Sequence, residues 1–171
     1  ATDASKPNTD EATNIFWFRA SETSFLLAEA SLYGLTSGDT KALYEEGVRK
    51  SFEEQGAVLG AYLSSTSKPR PYNSSTVSPV YPAGYSDDIS EGNVSPSWDD
   101  TSGTADELKE QQLQKIITQK YLALYPNSVE AWTEYRRTGY PFIMKPADRA
   151  AAGRIDAPAD ARAPERFVFS D

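Results

Sequence analysis

KIITQKYLALYPNSVEAWTEYRRTGYP, residues 115–141, decides the fold. Ile116, Ile117, Tyr121 and Leu124, with Leu113 just upstream, recur at the spacing of one helical face. Pro126 forbids continuation, because its ring removes an N–H donor and clashes with the preceding turn. Asn127 with Glu130 three residues on reopens a helix through a side-chain cap. That helix runs to about Thr138, and Gly139 closes it as the C′ residue. Trp132, Tyr135 and Arg136 are expected to share a face of it. The stretch therefore reads as helix, proline break, helix, ending in an Arg136-Arg137-Thr138-Gly139 corner.

Upstream, Thr104 with Glu107 forms a capping box that opens the first of this pair, so the pair spans 104–139. A second pair spans 21–63. Ser21 is read as an N-cap, Phe25, Ala28, Glu29 and Leu32 as one stripe, and Gly34 as the C′ residue. Leu26, Leu27 and Ala30 widen the apolar arc and predict a central helix. Asp39 caps the next helix, which carries Leu43, Tyr44, Val48 and Phe52 on one side and the pairs Glu45–Arg49 and Glu46–Lys50 on the other. Gly56 stops it, and residues 57–63 are read as about two further turns.

Between the pairs, residues 64–103 carry five Pro and no helical period. A structureless stretch of this length inside a domain is usually functional or disordered. It holds Tyr72, Tyr81, Tyr85 and Trp98 beside Asn73, Asp87, Asp88, Asn93, Asp99 and Asp100. Rings among amides and carboxylates are the components of a sugar site, where a ring face stacks under the C–H face of a pyranose and polar groups take its hydroxyls. The plainer reading is a long loop pinned to the helices by its rings. Asp87, Asp88 and Glu91 lack the spacing of a calcium loop, so no metal site is assigned. Residues 140–171 form an irregular tail rich in Ala, Arg, Asp and Pro.

The chain of 171 residues is one domain's worth, all-α in this reading. Its net charge of −8 argues against a nucleic-acid partner, which needs clustered cations. The absence of Cys and His removes disulfides, thiolate chemistry, the usual zinc ligands and the Ser-His-Asp triad. A carboxylate-based glycosidase needs two acids across one cleft, and no such pair can be placed. We therefore expect no enzyme and no cofactor. No apolar run reaches membrane-span length, and the chain opens at Ala1 rather than Met, which reads as processed or truncated.

These blocks resemble the SusD/RagB superfamily of Bacteroidetes outer-membrane lipoproteins, in the branch called SusD-like 2. The resemblance rests on Gln119-Lys120-Tyr121-Leu122-Ala123-Leu124-Tyr125-Pro126-Asn127, on Glu130-Ala131-Trp132, and on Glu134-Tyr135-Arg136-Arg137-Thr138-Gly139-Tyr140-Pro141. Ala28-Glu29-Ala30, the block from Gly38 to Arg49, and Pro164-Glu165-Arg166-Phe167 agree with it. It implies a tetratricopeptide-like, α-α superhelical fold with long irregular loops, of which this chain is the C-terminal portion. It further implies non-catalytic capture of a glycan, or of a peptide, at the cell surface, as the lid of a SusC-type TonB-dependent transporter. The lipid anchor and the N-terminal helices would lie in a part absent here, and the apolar faces of the first and third helices are expected to pack against that part.

Glu29, Trp132, Arg136, Arg137 and Gly139 are then structural signature residues: Glu29 bonds a neighbouring helix or an Arg, with a catalytic carboxylate as the alternative, and the paired Arg bind helix-end carbonyls and carboxylates, with an anionic-ligand clamp as the alternative. Tyr72, Tyr81, Tyr85 and Trp98 remain the candidate ligand contacts. The competing reading is a helical subunit that docks only to protein and has no small ligand of its own.

Overall fold

The computed structural model describes residues 17–68 and 93–142. Among them the architecture is all-helical: α1 (Ala20–Leu32), α2 (Thr40–Glu54), a single 3-10 turn (Tyr62–Ser64), α3 (Ala105–Ala123) and α4 (Ser128–Thr138). α1 packs on α2 and on α3, and α4 attaches through α3. The core lies between the first three helices. It consists of Phe25 and Ala28, Tyr44 and Val48, and Leu113, Ile116, Ile117 and Ala123, with Trp98 entering from the segment before α3.

The ends of the helices follow local chemistry. Asp39 accepts from the backbone N–H groups of Lys41 and Ala42. Thr104 and Glu107 form the expected reciprocal capping box. Asn127 accepts from Glu130 N–H. α1 ends where Gly34 (φ +71°) lets Leu35 N–H reach Ala30 O and Gly34 N–H reach Ser31 O. α2 ends by the same two-bond device at Gly56, with Ala57 N–H on Phe52 O. Gly139 closes α4 at φ +77°, donating to Tyr135 O.

Four local expectations are corrected. Ser21 is not the cap of α1, which begins a residue earlier behind Arg19. Instead Glu54, from the last turn of α2, accepts from both Ser21 N–H (3.0 Å) and Ser21 Oγ (2.6 Å). A carboxylate from the neighbouring helix thus satisfies an amide that a helix leaves free at its start. Residues 57–63 do not add two helical turns, because Gly56 and Gly60 both take positive φ and only the 3-10 turn forms. Tyr135 does not share the outer face of Trp132 and Arg136; it is buried with Ala131 and Glu134. The apolar arc of α1 is not wholly interior either: Leu26 and Leu27 stay about 40% exposed among these residues.

Candidate functional site

A cleft of about 440 Å³ opens where the long loop leaves and rejoins the helical body. α2 lines it with Glu45 and Arg49, the segment before α3 with Ser97 and Asp99, and the stretch around the 3-10 turn with Leu59, Leu63 and Ser64. Its size falls in the range of small-ligand sites.

Each charged side chain in the cleft has an ion-pair partner. Arg49 Nη2 lies 2.6 Å from Glu45 Oε2, and Asp99 Oδ2 lies 2.6 Å from Lys41 Nζ, which is outside the lining. Both pairs are partly solvated, so each is worth little and can re-form around a ligand. The Lys41 ammonium titrates above its ordinary value because it donates to Asp99. Two carboxylates, one guanidinium and two serine hydroxyls beside leucine side chains suit a polyhydroxylated ring better than a free anion.

The wall at 95–99 has no helix or strand to satisfy its backbone, yet three consecutive carbonyls are taken by side chains from the body. Lys115 Nζ donates to Ser95 O (2.9 Å) and Ser97 O (2.7 Å), and Tyr44 OH donates to Pro96 O (2.7 Å). Ser97 N–H reaches Ser65 O at 3.1 Å and ties the two ends of the loop together. Burial pushes the Tyr44 hydroxyl pKa up, so it remains a donor throughout the accessible pH range.

Of the expected ligand rings, Tyr72, Tyr81 and Tyr85 lie outside the described residues. Trp98 is 8% exposed, in the core, with its ring tilted against that of Tyr44 at 5.0 Å.

A second cluster joins α1, α3 and α4. Arg137 holds Glu29 through two bonds, Nη1 to Oε1 at 2.6 Å and Nη2 to Oε2 at 2.8 Å. The same guanidinium reaches Glu134 Oε2 at 2.7 Å. Glu134 Oε1 in turn lies 3.0 Å from Lys120 Nζ, and those two side chains are only 7% and 2% exposed. Arg136 instead stacks on the Trp132 ring at 4.6 Å. The cluster is neutral and its members are engaged with one another, so it braces the helices and offers no open site. Glu29 thus bonds an Arg, and Arg137 binds two carboxylates.

Burial alone would raise the pKa of Glu134, but hydrogen bonds from Arg137 and Lys120 outweigh it and the carboxyl sits below its ordinary value of 4.5. Glu22, buried near Lys120, is raised, chiefly by desolvation. The signs oppose. A depressed folded-state value contributes stability that is present above the ordinary value and lost as pH falls through the depressed value; a raised one contributes stability that is present below the ordinary value and lost as pH rises through the raised value. Glu134→Gln is therefore expected to flatten the loss of melting temperature as pH is lowered from neutral through 4.5, and Glu22→Gln to steepen it. Melting curves across that range check both, and parallel profiles for parent and variants contradict the assignment.

The comparisons with known proteins agree with this architecture. A family model described as SusD-like, Susd and RagB outer membrane lipoprotein, matches residues 1–171. The chain belongs to this SusD/RagB family. The protein BT1043 is 55% identical over 95% of this chain, with a TM-score of 0.80, and 31% of its own length is covered. A chitin-binding SusD homolog from Flavobacterium johnsoniae is 37% identical, with a TM-score of 0.64, over 76% of this chain and 25% of its own. The SusD homolog BT1281 from Bacteroides thetaiotaomicron gives 39%, 0.60, 75% and 25% for the same measures. No curated protein matches. This SusD-like chain thus spans about a third or less of the length of the solved relatives.

The sequence reading missed the cleft and the two buried lysines of α3. Lys115 and Lys120 are each 1% exposed although lysine is rarely buried. The available signal was position: Lys120 lies four residues beyond Ile116 and three beyond Ile117, on the face that points inward.

Proposed function

We propose that this chain is part of a non-catalytic, cell-surface protein that captures a glycan and passes it to a SusC-type TonB-dependent outer-membrane transporter. The observation that carries the reading is the polar cleft of Glu45, Arg49, Ser64, Ser97 and Asp99 at the foot of the loop that bears Tyr72, Tyr81 and Tyr85. Family membership supports it, as does the chitin-binding relative. In this reading the cleft takes sugar hydroxyls and the loop tyrosines supply stacking faces, while Trp98 anchors the cleft wall from beneath. The exposed leucines of α1 face the N-terminal part of the longer protein, which also carries the lipid anchor.

Calorimetry on the intact protein with a panel that includes chito-oligosaccharides tests this. Arg49→Ala and Asp99→Ala are each expected to weaken the binding of a recognised glycan about tenfold, the effect of losing a charged hydrogen-bonding partner. A combined Tyr72→Ala, Tyr81→Ala, Tyr85→Ala variant that binds as the parent does removes the loop from the site. Binding of no glycan, together with co-purification with a β-barrel transporter, supports a subunit that docks only to protein.

A further inference from the structure

The Lys115 ammonium lies inside the protein yet, among the described residues, makes no ion pair. It has three N–H bonds to give, and three neutral oxygens receive them: Ser95 O at 2.9 Å, Ser95 Oγ at 3.3 Å and Ser97 O at 2.7 Å. Ser95 Oγ, having accepted from the ammonium, donates onward to Asp100 Oδ2 at 2.5 Å. One cation thus gathers residues 95, 97 and 100 of a segment that has no secondary structure of its own.

A structural role for α3 does not require this charge. Lys115 is flanked on α3 by Leu113, Ile116 and Ile117, and burial disfavours its ammonium, whose pKa is lowered. An apolar side chain would serve the core equally well. What the ammonium adds is a fixed position for the carbonyls on either side of Pro96, and Ser97 and Asp99 of that segment form the cleft wall. Tyr44, bonded to Pro96 O from the α2 side, holds the same segment from the other direction.

We infer that Lys115 is a positioning residue for the cleft, holding Ser97 and Asp99 in the geometry that binds ligand while touching no ligand itself. This rests on the glycan reading above. A ligand that meets Ser97 and Asp99 already in place loses less freedom on binding, and that advantage goes when the ammonium goes.

The test uses the intact protein and the glycan that the parent binds most tightly in the calorimetric panel, with hydrogen exchange as a second readout. Lys115→Met is expected to weaken that binding about tenfold or more and to speed exchange at residues 93–100, while amides of α1 and α2 exchange as in the parent. Lys115→Ala with propylammonium added is expected to regain affinity, and the same variant with 1-propanol is not. Should Lys115→Met fail to fold, Ser95→Ala serves instead: it keeps the ammonium, removes one acceptor and breaks the link to Asp100, and a smaller loss of the same pattern is expected. Unchanged affinity with slow exchange at 93–100 overturns the inference, as does faster exchange spread evenly over all helices. A parent that binds no glycan defeats the functional reading, whereas the exchange pattern at 93–100 still decides whether Lys115 holds the wall.

Discussion

Lys120→Met is expected to destabilise the protein by about 3 kcal/mol, the largest single effect among the polar residues. Removing one partner of a buried ion pair leaves the other charge without its compensation, and this typically costs about 3–5 kcal/mol. The lower end applies because Arg137 still reaches Glu134 at 2.7 Å after the lysine is gone. Glu22 moves the same way, since Lys120 is the cation that partly offsets its burial. Replacing both partners, Lys120→Met with Glu134→Leu, is expected to recover more than half of the loss, because two apolar side chains fill the space without an unpaired charge. Urea unfolding of both single variants and the double variant gives the coupling directly. A Lys120→Met variant within about 0.5 kcal/mol of the parent would show that water solvates the pair in solution.

That pair also shows how far the sequence could be read. The helices were legible because their signals are local. A proline, a capping box and a glycine act within a few residues, so α2, α3 and α4 end close to where Asp39, Gly56, Thr104, Pro126 and Gly139 place them. The misreadings arose where a distant residue competes with a local one. Ser21 has the side chain of a cap, but Glu54 is 33 residues away and takes its hydrogen bond. Nothing within a turn of Ser21 announces that. Glu29 and Arg137 are 108 residues apart, and their pairing was anticipated only as a residue type, not as a partner.

The candidate site was legible in composition and not in geometry. The loop was marked by its prolines, rings and acids, which are properties of a window. That Trp98 packs inward depends on Tyr44, whose ring meets it from α2. The cleft wall depends on Lys115, which by charge alone belongs on a solvated face. Buried lysines become visible only when helical phase is followed through charged positions as well as apolar ones.

At Gly47 a local helix preference and a distant contact act in opposite directions. Gly47 lies in the middle of α2, where glycine is worse than alanine by about 1 kcal/mol on propensity. Gly47→Ala should therefore stabilise if only the helix mattered. A Cβ at this position would meet the Phe25 ring at 2.7, 2.8 and 2.9 Å. Real Cβ atoms essentially never approach that closely, and Phe25 is 0% exposed, with its ring edge-on to Tyr44 at 6.4 Å. The ring cannot withdraw without disturbing the aromatic packing that positions Trp98, so the two helices must separate. Overpacking of this kind costs about 1–3 kcal/mol, and it is expected to outweigh the propensity gain. Gly47→Ala thus destabilises, and Phe25→Leu, mildly destabilising alone, becomes neutral or favourable in its background. The four-member cycle in thermal or urea unfolding reads the coupling between contacting residues. A stabilised Gly47→Ala would mean that α1 and α2 pack less closely than the ring contact requires, and the frame behind the cleft would then be looser than its bonds imply.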